Sequence, residues 1–159
     1  MKTLLFILAI VVSTNAMSQV SKVLLQASGL TCSMCSNSIY KSLKTVAFVE
    51  KIEPDIKTST FNITFKRDTR IDFNKLKEKV EDAGYAVAKF VAVVNFKEVP
   101  VKADETVTVG TVNFRFTRTA TLNGERQVRI LNKGFMSPKE QKKYTIPASL
   151  PSNVYLASI

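Results

Sequence analysis

Histidine is absent from the 159 residues. Its absence removes imidazole general bases, histidine-containing nucleophilic triads and histidine metal ligands together. Cysteine is scarce: Cys32 and Cys35 are the two in the chain, with two residues between them. A bridge across so short a loop constrains little of the unfolded chain, so structural stapling does not explain the spacing. Between Pro54 and Pro100 there is no proline, and thioredoxin-like enzymes set a cis-proline opposite their cysteine pair. Nothing repeats, and no stretch is low in complexity. The apolar run from Leu4 to Val12 is too short to span a bilayer.

That run is instead read as part of an export signal. Lys2 precedes it, and Ser13-Thr14-Asn15-Ala16 supplies small residues before a cut after Ala16 or Ser18. Residues 1–18 are assigned to this leader. The expected location is outside the cytoplasm, periplasmic or extracellular. The formal charge is +10, from 23 basic and 13 acidic residues. The cations are interspersed along strand-like stretches and form no run. Nucleic-acid binding calls for a clustered basic stripe with stacking aromatics, so no nucleic acid is expected as partner. The expected state is a monomer.

What the chain does contain is Gly29-Leu30-Thr31-Cys32-Ser33-Met34-Cys35. Before it Val23, Leu25 and Ala27 alternate, as in a half-buried strand. After it Ile39, Leu43 and Val46 recur at helical spacing. The thiols therefore sit on a strand-to-helix loop, with Cys35 in the first helical turn. A helix start presents unpaired N–H groups and the positive end of the macrodipole, and both favour thiolate. Thiolate binds soft metal ions and also attacks disulfides. The residues leave both chemistries open. Two thiolates without fixed further ligands suit Cu(I) best and Hg(II) similarly. A structural Zn(II) site needs four ligands, which carboxylates or a second subunit would have to complete.

The loop resembles the Gly-Met-Thr-Cys-x-x-Cys signature of the heavy-metal-associated domain family. Val80-Glu81-Asp82-Ala83-Gly84-Tyr85 is similar to that family's second-helix ending. The resemblance covers residues 22–96. It implies copper-chaperone or mercury-binding activity without enzymatic turnover, with Cys32 and Cys35 as the metal ligands. It also implies transfer to a metal-transporting membrane ATPase or another cuproprotein. Leu30 stands where the family usually has Met, a position that packs beneath the loop. By the same resemblance Tyr85 lies beside the thiols. Met34, between the ligands, could shield the ion, but reads more simply as an exposed loop residue.

The remaining pattern is strand, helix, strand, strand, helix, strand. Val49 to Ile56 is extended, with Pro54 suiting an edge strand. Phe61, Ile63 and Phe65 alternate strictly. Asp72 is placed to cap a helix whose stripe is Phe73, Leu76, Val80 and Ala83. Ala86 to Phe96 closes the unit. The fold class is α+β: a ferredoxin-like βαββαβ sandwich at residues 19–96, then a small β-rich unit at 97–159. In the latter, Val112, Phe114 and Phe116 alternate. Asn123-Gly124 predicts a hairpin turn, and Ser137-Pro138 predicts a short helix ended before Pro147. Val154 to Ile159 reads as a last strand. The expected role of this unit is partner docking or the covering of a sheet edge.

Overall fold

The computed structural model describes residues 19–30, 32–147 and 149–159. The leader assigned to residues 1–18 lies outside them. Strand β1 (Gln19–Ser28) buries Val20, Val23, Leu25 and Ala27 on one face. Helix α1 (Ser33–Lys44) sets Ile39 and Leu43 against that face. Strands β2 (Val49–Asp55) and β3 (Thr60–Phe65) follow. Helix α2 (Phe73–Asp82) starts on Asp72, whose side chain accepts the Asn74 N–H at 3.0 Å. It buries Phe73, Leu76 and Val80. Strand β4 (Ala86–Val101) returns beside β1. The first four strands lie in the order β2-β3-β1-β4 with every neighbouring pair antiparallel. The two helices touch each other, and the Ser42 hydroxyl donates to the Lys79 carbonyl at 2.7 Å. This is the ferredoxin-like βαββαβ arrangement.

The sheet does not stop at β4. Strands β5 (Thr106–Val109), β6 (Val112–Phe116), β7 (Ala120–Ile130) and β8 (Val154–Ser158) extend it to the order β2-β3-β1-β4-β7-β8-β6-β5. A short helix, α3 (Pro138–Gln141), lies between β7 and β8, with Ser137 as its cap as the sequence predicts. The division placed after Phe96 falls inside β4, which runs on to Val101 and pairs with β7 from Val91 onward. Phe73 and Phe90 from the first half pack with Phe114, Phe135 and Tyr155 from the second. The 97–159 segment is thus a continuation of one sheet and one core, and it covers the edge of β4.

One local expectation needs correction. Asn123-Gly124 does not turn the chain: both residues lie within β7, and Gly124 pairs with Phe96. The next matched pair is Val99 with Leu122, so β4 carries one extra residue here. On β4 the bulge carries a positive φ at Glu98 (46°), and Gly124 has its positive φ (70°) opposite this bulge and not in a hairpin. The stretch around Val112 is two strands, turned at Gly110.

At the end of the sheet distant from the cysteines, Tyr155 fastens β8 to α2. Its hydroxyl donates to Asp72 at 3.0 Å and receives the Asn74 side-chain N–H at 3.2 Å. Burial first, then the Asp72 charge, raises the phenol above its ordinary range. Tyr155→Phe is expected to cost about 1 kcal/mol, the usual net worth of such a bond, read as a lower denaturation midpoint at unchanged m-value.

Candidate metal centre

The centre is built where β1 hands over to α1. Cys32 is the N-cap of α1, in extended conformation (φ −150°, ψ 162°). Its sulfur accepts the Cys35 backbone N–H at 3.3 Å. Cys35 stands in the first helical turn and is half-buried, while Cys32 is exposed. Neither is in a disulfide, and their Sγ atoms lie 2.7 Å apart. The pair that sequence spacing singled out is therefore brought together. At a metal–sulfur distance of about 2.3 Å, opening toward a linear S–M–S arrangement would move the sulfurs roughly 2 Å further apart than the 2.7 Å seen here. Cys32, outside the helix, has the freedom to make that movement.

Leu30 packs against the core beneath the loop, as expected from its position. Tyr85 reaches the site from the loop after α2, and its hydroxyl hydrogen-bonds with Cys35. That bond, then desolvation, then the thiolate charges of Cys35 and Cys32, raises the Tyr85 ionisation above 10.0. The sign follows from charge: the neutral phenol donates to sulfur, whereas a phenolate would face negative sulfur. Cys35→Ser should accordingly bring Tyr85 back toward 10.0, measured by ultraviolet difference titration. An unmoved titration would mean that the sulfur does not govern this tyrosine. Tyr85→Phe removes the hydroxyl and should change Cu(I) affinity by less than about tenfold, 1.4 kcal/mol, in a chelator competition.

Met34, between the two cysteines, is 78% exposed. Among the described residues no group of three or more His, Cys, Asp or Glu converges on a point. The cysteine pair thus has no built-in third ligand of those types. Sequence reading passed over Ile56, which is 59% exposed beside α1. Its signal, an apolar residue ahead of the Asp55–Ser59 turn, reads equally as a buried strand end.

Residues 24–86 match the model of the heavy-metal-associated domain. A probable copper-exporting P-type ATPase of Archaeoglobus fulgidus is 36% identical over 70 residues, which are 44% of this chain and 9% of that protein. The chain therefore spans about a tenth of the length of that relative. Oxidized MerP from Ralstonia metallidurans CH34 is 31% identical, covering 45% of this chain and 94% of its own, with a TM-score of 0.39. The yeast copper transporter domain Ccc2a is 28% identical over 42% of this chain and 90% of its own, TM-score 0.38.

Proposed function

Residues 24–86 belong to the heavy-metal-associated domain family, and on that premise we propose that the protein binds and transfers a soft metal ion, Cu(I), through Cys32 and Cys35. The observation that carries this reading is the sulfur pair itself: two thiols outside any disulfide, 2.7 Å apart at a helix start, with no third cysteine and no histidine in the sequence and no converging carboxylates among the described residues. Thiolate softness selects Cu(I) or Hg(II) over harder ions. Zn(II) would need ligands from elsewhere.

Transfer follows from the same incompleteness. A partner's thiolate enters an open coordination position, a three-sulfur intermediate forms, and one resident sulfur leaves. The two cysteines are unequal in this exchange. Cys35 is held by the helix and by Tyr85, whereas Cys32 is exposed on the cap. Cys32 is the sulfur that swings away. No turnover chemistry is assigned, so the protein is read as a carrier and not an enzyme. It acts after export, with a metal-transporting membrane ATPase or another cuproprotein as its counterpart.

The test is metal analysis of protein purified reduced, with X-ray absorption to count ligands. One copper per chain on two sulfurs is expected; a four-ligand zinc site or no bound metal would overturn the reading. The sulfur separation also favours a second reading, thiol–disulfide exchange, in which a Cys thiolate attacks a substrate disulfide and the second thiol resolves the mixed disulfide. Reduction of a peptide disulfide by the dithiol form, faster than by free cysteine, would support it.

A further inference from the structure

The segment after β7, residues 132–137, reaches from β8 to the strand that leaves the metal centre. Asn132 holds its base. The Asn132 side-chain N–H donates to the Val154 carbonyl at 3.0 Å, and the side-chain oxygen accepts the Leu156 N–H at 2.7 Å. A turn follows, closed by the Phe135 N–H on the Asn132 carbonyl at 3.0 Å. Gly134 makes this turn with φ 85°, where an added Cβ would lie 3.1 Å from Lys77 Cδ of α2. Phe135 is buried, with its ring centre 5.1 Å from Phe90 and 5.8 Å from Tyr155. The Lys77 ammonium lies 6.0 Å from the same ring. At the far end, the Ser137 N–H donates to the Ala88 carbonyl at 3.1 Å.

Ala88 is where β4 is irregular. Gln26 of β1 pairs with Lys89 and Ala27 with Val87, so Ala88 is an extra residue on β4. Such a bulge breaks the ladder and bends its strand, and its carbonyl needs a partner from elsewhere. β7 pairs with β4 from Val91 onward, so at Ala88 the partner is Ser137. The strands joined at this bulge both feed the metal centre. β1 leads through Ser28 toward Cys32, and β4 begins directly after Tyr85. Ser28 pairs with Ala86, and its hydroxyl donates to the Ala86 carbonyl at 3.1 Å. On the other side, the Tyr85 N–H donates to the Val80 carbonyl of α2 at 3.1 Å. Tyr85 thus stands between the end of α2 and the Ala88 bulge, and residues 132–137 touch both α2 and the bulge.

We propose that residues 132–137 are a positioning element for the metal centre: by fixing the Ala88 bulge they hold the Tyr85 hydroxyl on the Cys35 sulfur, and so set how slowly Cu(I) is released. This rests on the metal-transfer reading above. The path runs from the Ser137 N–H to Ala88, through Val87 and Ala86 to Tyr85, and from Tyr85 to Cys35. The hydroxyl donates to a sulfur whose negative charge it partly offsets. Cys35 therefore stays seated while Cys32 exchanges. Without the Ser137 bond the bulge relaxes and the hydroxyl loses its aim. Cys35 then gains the freedom that Cys32 already has on the cap. The C-terminal half thereby takes part in metal retention, besides covering the edge of β4.

The experiment uses the full chain. Ser137 has φ −64°, which already suits proline. Ser137→Pro therefore deletes the N–H, whereas Ser137→Ala keeps it and removes only the α3 cap. Reduced protein loaded with Cu(I) is mixed with excess chelator, and loss of Cu(I) is followed by stopped flow. Ser137→Pro and Tyr85→Phe should each speed the loss about fivefold, the worth of one hydrogen bond. The double variant should lose Cu(I) no faster than Tyr85→Phe alone, because both act on one contact. Ser137→Ala should stay within about twofold of wild type. Gly134→Val, strained at φ 85° and pressed on Lys77, should match Ser137→Pro and replaces it if proline prevents folding. A wild-type rate in Ser137→Pro or in Tyr85→Phe would overturn the inference. So would multiplied rates in the double variant, which mean general loosening, or a Ser137→Ala as fast as Ser137→Pro. A second readout needs no metal. In the reduced apo protein Ser137→Pro should move the Tyr85 ring NMR resonance toward its position in Cys35→Ala, and Ser137→Ala should not. An unmoved resonance overturns the positioning even where Cu(I) binds. A moved one, beside a wild type that takes up no Cu(I), places the failure in the metal-transfer reading.

Discussion

Cys32→Ser is expected to lower Cu(I) affinity by at least about a thousandfold, roughly 4 kcal/mol. The reason is the absence of a substitute ligand. No third cysteine exists in the chain, histidine is missing, and no cluster of carboxylates converges on the pair among the described residues. A serine hydroxyl is a hard, protonated oxygen, and a soft ion gains little from it. Cys35→Ser should be at least as damaging, because it also removes the sulfur that the Tyr85 hydroxyl meets. A competition titration with a strong Cu(I) chelator, on reduced wild type and on each variant, measures both effects. Equal binding by wild type and Cys32→Ser would remove the metal site and bring the thiol–disulfide reading forward. Pre-oxidation of the wild type should reproduce the loss, since electrons shared in an S–S bond no longer bind metal, and reduction should restore it.

The parts of this molecule that could be read from the chain are those with one solvated face. β1, β3, α1 and α2 each alternate buried and exposed positions at the period of their own geometry, so Val23, Leu25, Ile63, Leu43 and Val80 declare themselves. β4 does not. Val91 and Val93 are buried as well as Phe90, Ala92 and Val94, so its period vanishes and its end at Val101 is hidden. The unbroken apolar run ends at Phe96, whereas the strand continues to Val101. Asn123-Gly124 misled for a different reason. The positive φ that a hairpin turn requires is the same one that a bulge requires, and partner register, invisible in one chain, chooses between them. The metal centre was legible because its two sulfurs are local in sequence. Tyr85 is 50 residues from Cys35 in the numbering, and resemblance, not spacing, brought it to the site. The packing of Gly134 and Phe135 against Lys77 of α2 has no sequence signal, since it depends on where the chain goes after β7 pairs with β4.

Phe73→Ala is expected to destabilise the protein by about 3–5 kcal/mol, the range for deleting a fully buried aromatic ring. Phe73 is 0% exposed. Its ring centre lies 4.9 Å from Phe90 and 4.8 Å from Tyr155, with Phe114 at 6.2 Å. Those neighbours come from β4, β8 and β6, so the ring joins α2 to strands on both sides of the β4–β7 pairing. Little around it can collapse into the space, because Phe90, Phe114 and Phe135 are themselves locked in the same cluster. For a chain of this size the loss should lower Tm by roughly 10 °C. More telling than the size is the number of transitions. If the ferredoxin-like half and the C-terminal half share one core through Phe73, the variant unfolds in a single step, with circular dichroism and tyrosine fluorescence moving together. Two separated transitions, with the half containing Tyr155 unaffected, would show that the halves are independent and that the shared sheet contributes little coupling. Below its Tm the variant should still bind one Cu(I) per chain, because the ring lies on α2's first turn and the sulfurs lie at the start of α1.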